Sequence, residues 1–325
     1  MARIFSSGIE TGGVYQFTAL SGASAVSTSG LSMDAIYCLD LSGQTASATA
    51  VFPAKSEVYT AMLYRPILAS TGLNILSLTS GGVVIGTIKR KSTGHLEAYA
   101  GATLLATYAF PIDLAATYLV ECRYAVTNSN GRVVLKINGI IAIDFTGDTQ
   151  PSTETTVDAA VLGYLSGVGD GYAYYDNIIV DDAGWIGKTY IQGRAVTGAG
   201  NSTQWTPSAG NNWDCVEERP ASDADYVSSN TVGHLDLYAA GNMSGSIGSV
   251  RAVHILARAV KEGAPTPQNL QLSVRSGGTD YFSADKAVPT AYGMLSNIWE
   301  LNPDGATAWL EATVNATEIG VKAVA

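Results

Sequence analysis

The chain has 325 residues and a formal net charge of −10, with 46% hydrophobic and only 14% charged residues. This length favours two domains, and so much apolar area with so little charge excludes a disordered chain. The acidity is shared, with nine basic and fifteen acidic residues up to Gly184 and nine and thirteen after it. A broad nucleic-acid surface is therefore excluded in both halves.

Membrane insertion is not expected from the apolar pattern. The longest apolar stretches, such as Val83–Ile88, are far shorter than the roughly 20 residues that a membrane helix needs. Met1–Glu10 shows no basic-then-apolar leader, which favours synthesis in a cytoplasm without secretion. Cys38, Cys122 and Cys215 are too few and too scattered for a disulfide framework or a zinc site.

Alternation of apolar and polar residues dominates the first half and predicts strands. The clearest example is an alternating strand at Tyr118–Val126, followed by RVVLKI, Asn138-Gly139 and IIAIDF. Asn-Gly is a strong hairpin signal because both central residues of a type I′ turn take positive φ. We predict a three-stranded antiparallel meander here, with Cys122 as a small buried hydrophobe.

Further strands are predicted around this meander. A hairpin turning at Gly101 joins HLEAY to TLLATY, and Ile4–Glu10 is expected to pair with the closing strand Tyr174–Val180. The other predicted strands are Ile36–Leu41, Ser47–Phe52, Tyr59–Tyr64, Leu73–Leu78 and Val83–Lys89. A single antiparallel sheet would leave one face of every strand exposed to solvent. The pattern therefore predicts two sheets stacked face to face.

The first half resembles the concanavalin A-like, laminin-G-type jelly roll in the order of its segments. These segments are GHLEAYAGATLLATYAF, ATYLVECRYAV, GRVVLKINGIIAIDFTG, VLGYLSG and YYDNIIVDD. The opening ARIFSSGIETG and the closing YYDNIIVDD resemble more narrowly the version found in tailed-bacteriophage virion proteins. The resemblance implies an all-β chain, with a concanavalin A-like jelly-roll β-sandwich over residues 1–184 and a smaller β-rich domain over residues 185–325.

The second half differs in composition, since all five tryptophans lie beyond Asp182. Trp185–Gly193 is predicted to be its first strand, and a long polar tract after it is predicted to form loops with short strands. Later predicted elements are strands at Ser249–Val260, Asn269–Val274, Tyr281–Phe282 and Met294–Glu300, and a short helix at Leu310–Ile319 ended by Gly320. The STQWTPS tract, a Glu-Arg-Pro loop and the GHLDLY strand resemble the same phage proteins in their order.

Catalytic chemistry is not expected. A glycan hydrolase needs two carboxylates that flank one bond, but Glu97 and Glu121 stand alone on their strands and are interpreted as exposed strand charges. The three histidines are far apart in sequence and outside any nucleophile motif, so a catalytic triad is not supported. The basic cluster Lys89–Lys91 is interpreted as a solvated turn rim in preference to a nucleic-acid patch.

A calcium site is one possible use of the acids around the closing strand. Asp170, Asp176, Asp181 and Asp182 lie close in sequence beside Gly-rich turns, and calcium takes several oxygen ligands. Calcium also occurs in laminin-G-type relatives. The favoured interpretation is that these acids are solvated or cap turns, with a bound calcium as the alternative and no other cofactor.

Aromatic residues cluster at the same place. Tyr172, Tyr174, Tyr175 and Trp185 could pack against the neighbouring domain, anchor a protein interface or stack on a sugar ring. Packing is the favoured interpretation, followed by an interface and then by a sugar site.

The phage resemblance implies a non-enzymatic structural component of a virion, such as a capsid decoration, head fibre or tail-associated subunit. Such a subunit is made in the host bacterial cytoplasm and acts through contacts with other virion proteins. Because virions are built by symmetry, a homo-oligomer is expected, with a trimer favoured. The alternative is a glycan-binding adhesin that recognises host-surface glycans through a shallow groove lined by Tyr or Trp and a few polar groups.

Overall fold

The computed structural model describes residues 3–27, 36–43, 45–69, 72–165, 171–245, 248–263 and 267–325. The chain is nearly all β, as the alternation predicted. It divides into two compact units, Met1–Ile191 and Gln192–Ala325. In the part of the chain described, no helix is both long and apolar enough to cross a membrane.

The regular elements described in the first unit are all strands. They are β1 (Arg3–Ser7), β2 (Ala19–Ser21), β3 (Ala23–Ser27), β4 (Tyr37–Ser42), β5 (Ser47–Lys55), β6 (Glu57–Ala69), β7 (Leu73–Ser80), β8 (Val83–Arg90), β9 (Leu96–Ala100), β10 (Thr103–Tyr108), β11 (Tyr118–Ala125), β12 (Gly131–Ile137), β13 (Ile140–Gly147), β14 (Val157–Gly163) and β15 (Gly171–Asp181). The strands predicted upstream of the meander all form.

These strands make two antiparallel sheets. Sheet I has the order β13-β12-β11-β6-β15-β4-β3, with β1 also beside β15, and sheet II has the order β10-β9-β8-β7-β14-β5-β2. The predicted pairing of the first strand with the closing strand is confirmed, since Phe5 lies opposite Val180 and Ser7 opposite Ile178. The predicted jelly-roll β-sandwich is therefore confirmed, because strands distant in sequence alternate between two stacked sheets.

The predicted meander is confirmed as β11, β12 and β13. Asn138 and Gly139 take φ values of 51° and 81°, as a type I′ turn requires. The Asn138 side chain also accepts a hydrogen bond from the Leu119 N–H at 2.9 Å, which ties the turn to β11.

One hydrophobic core fills the space between the two sheets. Tyr64, Tyr124 and Tyr175 are its largest fully buried side chains. The Tyr124 hydroxyl lies 3.1 Å from the carbonyl oxygens of both Ile85 and Thr149. Cys122 is buried as predicted.

The first unit ends after Ile191, beyond the boundary predicted after Gly184. Residues 185–191, here called the covering segment, form no strand, so the strand predicted at Trp185–Gly193 was wrong. The segment lies on the outer face of sheet I, where Ile186 packs with Ala61 and Ile179. Its backbone is fixed there because the Gly187 N–H donates to Glu121 Oε1 at 2.8 Å.

The second unit is a smaller β structure. Its elements are β16 (Val196–Thr203), β17 (Thr206–Pro207), β18 (Val227–Ser228), β19 (Leu235–Ala240), β20 (Val253–Ala259), β21 (Asn269–Ser276), β22 (Thr279–Phe282), β23 (Lys286–Ala287), β24 (Gly293–Trp299), β25 (Glu318–Val324), the helix α1 (Glu311–Asn315) and a 3₁₀ turn at Trp213–Cys215. One sheet has the order β16-β19-β25-β21-β22, with β23 also beside β21, and β17–β18 and β20–β24 form two ribbons.

The helix predicted at Leu310–Ile319 is shorter than expected. Gly320 does not end it but lies within β25, where an added Cβ would stand 1.8 Å from the Asp236 carbonyl oxygen. The glycine is needed because the backbones of β19 and β25 approach so closely. Trp309 lies in the core of this unit, and its indole N–H donates to the Trp299 carbonyl at 2.8 Å.

Candidate functional site

The predicted acidic candidates lie on or beside sheet I, and those that are described act within the fold. Asp170 lies outside the described residues. The buried Asp176 accepts a hydrogen bond from the Asn177 N–H at 2.6 Å. The buried Asp181 accepts from the Ala183 N–H at 2.8 Å and so closes the turn after β15, whereas Asp182 pairs with Lys55 at 2.6 Å.

Asp176 and Asp181 do not fit one shared calcium ion. On sheet I, Asp176 lies opposite Leu63 and Asp181 opposite Tyr59. Four residues along a strand separate the two carboxylates by roughly 13 Å, too far for them to share one ion. Within the described ranges, no three acidic, histidine or cysteine side chains come together as a metal-binding group.

The three tyrosines of the closing strand have different surroundings. Tyr175 is fully buried, and its hydroxyl donates to the Ile75 carbonyl at 3.1 Å, so it cannot reach a ligand. Tyr174 is half-buried, and its pKa is raised by burial and then by Asp40. Tyr172 is 40% exposed and is the one member of the three open enough for an outside contact.

Trp185 belongs to the covering segment and serves internal packing. Its ring meets the Tyr59 ring edge-on, with centroids 5.4 Å apart. The Lys136 ammonium lies 3.5 Å from the centre of the Trp185 ring, within the range of a cation–π contact. This half-buried stack lies within the first unit, because Trp185, Tyr59 and Lys136 all belong to it.

Glu97 and Glu121 are not the exposed strand charges that the sequence suggested, because both are buried. Glu121 accepts the Gly187 N–H on the outer face of sheet I. Glu97 lies on the outer face of sheet II, between the core residues Leu96 and Ala98. Because the whole sandwich stands between them, these two carboxylates cannot flank one glycosidic bond.

The outer face of sheet II carries a continuous row of residues across all seven strands. In strand order these are Leu104, Tyr99, Thr87, Ser77, Val161, Thr49 and Ala19, each beside the next in register. Neighbouring strands lie about 4.8 Å apart, a spacing comparable to the length of one pyranose unit. The row therefore crosses the whole sheet at a regular spacing, with Ser77 and Val161 buried in its middle.

In the middle of this face the side chains are small and at most 5% exposed, whereas Leu104 and Val51 towards its ends are 50% and 52% exposed. The small residues are Ser77, Thr79, Ala159 and Val161. This outer face, here called the trough, thus has short, buried side chains in its middle and more exposed residues towards its ends.

Polar groups cluster at the β8–β9 end of the trough. The Tyr99 hydroxyl donates to Glu97 Oε2, and Lys91 Nζ lies 3.5 Å from Glu97 Oε1. Burial and the hydrogen bond to Glu97 raise the pKa of Tyr99 to about 12, so its hydroxyl stays protonated at neutral pH. Beside them, the Ser77 and Thr87 hydroxyls lie 3.3 Å apart. The cluster thus combines an aromatic ring with hydrogen-bond donors and acceptors.

The sequence contained a signal for this cluster that was overlooked. In HLEAYAG, alternation places Glu97 and Tyr99 on one face of β9, but the tyrosine was not linked to the carboxylate. The basic cluster beside it was also misread in part. Arg90 is buried and donates to the Ile112 carbonyl at 2.9 Å, because it faces the opposite side of β8 from Lys89.

No known protein family matches the chain, and no curated protein matches its sequence. Among solved structures, the cellulose induced protein Cip1 is similar with a TM-score of 0.42 and 11% identity, over 57% of this chain and 100% of Cip1. The carbohydrate binding module CBM66 from Bacillus subtilis is similar with a TM-score of 0.33 and 12% identity, over 50% of this chain and 96% of that module.

Enzymes are also among the similar structures. The alginate lyase Aly36B has a TM-score of 0.35 and 15% identity, over 46% of this chain and 82% of the lyase. A sialidase has a TM-score of 0.37 and 10% identity, and the match covers 45% of this chain but only 15% of the sialidase. Similarity at this level carries no conclusion about what this chain binds or catalyses.

Proposed function

We propose that the first unit binds a glycan chain in the trough on the outer face of sheet II. The observation that carries this proposal is the Tyr99–Glu97–Lys91 cluster beside the trough floor. A buried carboxylate on an outer sheet face is costly unless it is hydrogen-bonded, and here a tyrosine and a lysine hold it in place. The side-chain contacts within this cluster do not connect sheet I to sheet II.

The chemistry of the cluster suits a sugar. Hydroxyl groups of a sugar accept hydrogen bonds from lysine and donate them to a carboxylate, while the apolar face of the ring can stack on tyrosine. A broad sheet face favours a polymeric glycan over an enclosed small molecule, because a chain can lie across several strands. The proposal is one of binding without catalysis, since Glu97 is already held by Tyr99 and Lys91 and the other carboxylate candidate, Glu121, lies on the opposite sheet.

A glycan array probed with the purified chain, followed by titration calorimetry on the best ligand, tests the proposal. Tyr99→Ala is expected to lower the affinity at least about tenfold, because it removes the stacking ring and a fixed donor. Tyr172→Ala is the matched control, since Tyr172 is a 40% exposed tyrosine on the other sheet. Absence of binding to every glycan at high display density, or equal affinities of the two variants, would contradict the proposal.

A second candidate function is a structural subunit of a bacteriophage virion that acts through assembly with other copies or virion proteins. It is supported by the exposed apolar residues at the free edge of sheet I, where Ile140 and Ile141 of β13 are 70% and 55% exposed. Unpaired strand edges with apolar side chains favour association. Electron microscopy of purified particles tests this candidate, and failure to find the chain in them would dismiss it.

A further inference from the structure

The second unit carries an exposed pair of tyrosines next to an ordered ion pair. Tyr226 and Tyr292 are 47% and 36% exposed. Arg258 makes a two-pronged contact with Asp223, with Nε 2.6 Å from Oδ1 and a terminal nitrogen 2.7 Å from Oδ2. None of these four residues belongs to the core of the unit. The unit therefore does not require the group for its packing.

Three separate parts of the chain bring these residues together. Arg258 lies on β20, and Tyr292 directly precedes β24, which pairs with β20 so that Ala259 lies opposite Gly293. Asp223 and Tyr226 come from the loop before β18. That loop is held by Ser208, whose N–H donates to the Tyr226 carbonyl at 2.8 Å and whose hydroxyl accepts the Tyr226 N–H at 3.1 Å.

The Tyr292 side chain is held by contacts with Arg258 and Asp223 but is still 36% exposed to solvent. The Arg258 guanidinium lies 5.1 Å from the ring centre, and the Tyr292 hydroxyl donates to the Asp223 carbonyl at 3.3 Å. Burial, followed by the nearby Asp223, Glu262 and Tyr226, raises the pKa of Tyr292. The two tyrosines therefore lie near each other, and at least one ring is held in a fixed orientation.

We propose that Tyr226, Tyr292 and the Arg258–Asp223 pair form a second sugar-binding surface, separate from the trough of the first unit. The rings offer stacking faces for the apolar side of a pyranose. The guanidinium and carboxylate hold donors and acceptors in one plane, as hydrogen bonding to adjacent hydroxyls requires. Because these groups are already ordered by each other, little further ordering is needed when a ligand binds.

The surroundings favour a sugar over a protein partner. The exposed residues next to the tyrosines are small or polar, namely Ala224, Asp225, Thr290 and Ala291. A hot spot in a protein–protein interface needs surrounding apolar side chains that exclude water from its anchor residues. No large aliphatic side chain is exposed in residues 221–228 or 289–293. A polar, hydrated rim suits a carbohydrate.

The charge around the tyrosines favours neutral sugars over acidic ones. The acids Asp223, Asp225 and Glu262 outnumber the bases Arg258 and Lys261 in this region, three against two, for a sum of −1. Arg258 is already neutralised by Asp223. We therefore expect a neutral glycan, and we expect uronic acid chains to be disfavoured.

The test uses the full chain carrying Tyr99→Ala, which is expected to weaken binding in the trough by about tenfold or more. Neutral hexasaccharides of glucose, mannose and xylose and an oligogalacturonate are titrated by calorimetry. At least one neutral probe is expected to bind, Tyr226→Ala and Tyr292→Ala each to weaken it by about tenfold or more, and the oligogalacturonate to bind more weakly. Tyr292→Phe, which keeps the ring, is expected to retain most of the affinity.

The matched control is Phe282→Ala. Phe282 is also 36% exposed and also carries a cation over its ring, Lys322 at 4.5 Å, but it lies on β22, in a different sheet from the β20–β24 ribbon. The proposal is overturned if no neutral probe binds the Tyr99→Ala chain, if the control weakens binding as much as Tyr292→Ala, or if the tyrosine variants change only self-association, which would indicate a protein contact. Loss of all binding with Tyr99→Ala alone would agree with the trough proposal and would overturn the proposal of a second sugar-binding surface.

Discussion

Replacing Asp236 by alanine is expected to lower the free energy of unfolding of the second unit by about 3–5 kcal/mol. The Asp236 carboxylate is fully buried. It accepts hydrogen bonds from the backbone N–H groups of Gln204 at 2.6 Å and Trp205 at 2.8 Å, and from the Tyr238 hydroxyl at 2.9 Å. Without the carboxylate, these donors lose their acceptor, and the loop after β16 loses its anchor on β19.

Urea unfolding followed by tryptophan fluorescence measures this effect, since four of the five tryptophans lie in the second unit. Asp280→Ala is the control, because Asp280 is a partly exposed acid that pairs with Arg275 at 2.7 Å in the same unit. Such a pair contributes about 1 kcal/mol or less. Asp236→Asn keeps one acceptor oxygen and should fall between the two. Equal losses for the Asp236→Ala and Asp280→Ala variants would refute the anchoring role.

Tyr175→Ala is expected to destabilise the first unit by about 3–5 kcal/mol, because it opens a cavity in the core. The Tyr175 ring packs 5.2 Å from the Tyr64 ring. Its hydroxyl, on sheet I, donates to the Ile75 carbonyl on sheet II, so the side chain joins the two layers. Tyr172→Ala on the same strand should change stability by no more than about 0.5 kcal/mol, since that side chain is 40% exposed.

Chemical unfolding followed by circular dichroism compares the two variants, and equal losses would contradict the core role of Tyr175. The pH dependence gives a second readout. Burial raises the pKa of Tyr175 well above its ordinary value of 10.0, so its contribution is complete below pH 10 and is lost as pH rises above that value. Tyr175→Phe should reduce this alkaline loss, because phenylalanine does not ionise.

Much of the first unit could be predicted from local pattern. The meander and the turn at Asn138-Gly139 follow from alternation and from the positive φ that the turn demands, and both depend only on residues close in sequence. The pairing of Ile4–Glu10 with the closing strand was inferred from the expected topology alone. In contrast, Gly320 was read as a helix stop, because the sequence does not show that the β19 backbone passes against it.

The candidate site was harder to predict because it depends on which sheet face is covered. Tyr172, Tyr174 and Tyr175 are neighbours in sequence, yet one is exposed, one half-buried and one wholly in the core. The sequence placed its ligand candidates on the closing strand, although packing was the favoured interpretation there. The structure directs attention to Tyr99 and Glu97 on the opposite sheet.

The sequence by itself determined the all-β class, most strand positions in the first unit and the hairpin geometry, because a period of two residues and a turn of two residues are local properties. Only the tertiary structure decided which polar residues are buried. Glu121 points away from the core, but it is buried because Gly187, 66 residues later, lies against it. Contacts across such separations depend on the order of strands in the sheets, and no local pattern encodes that order.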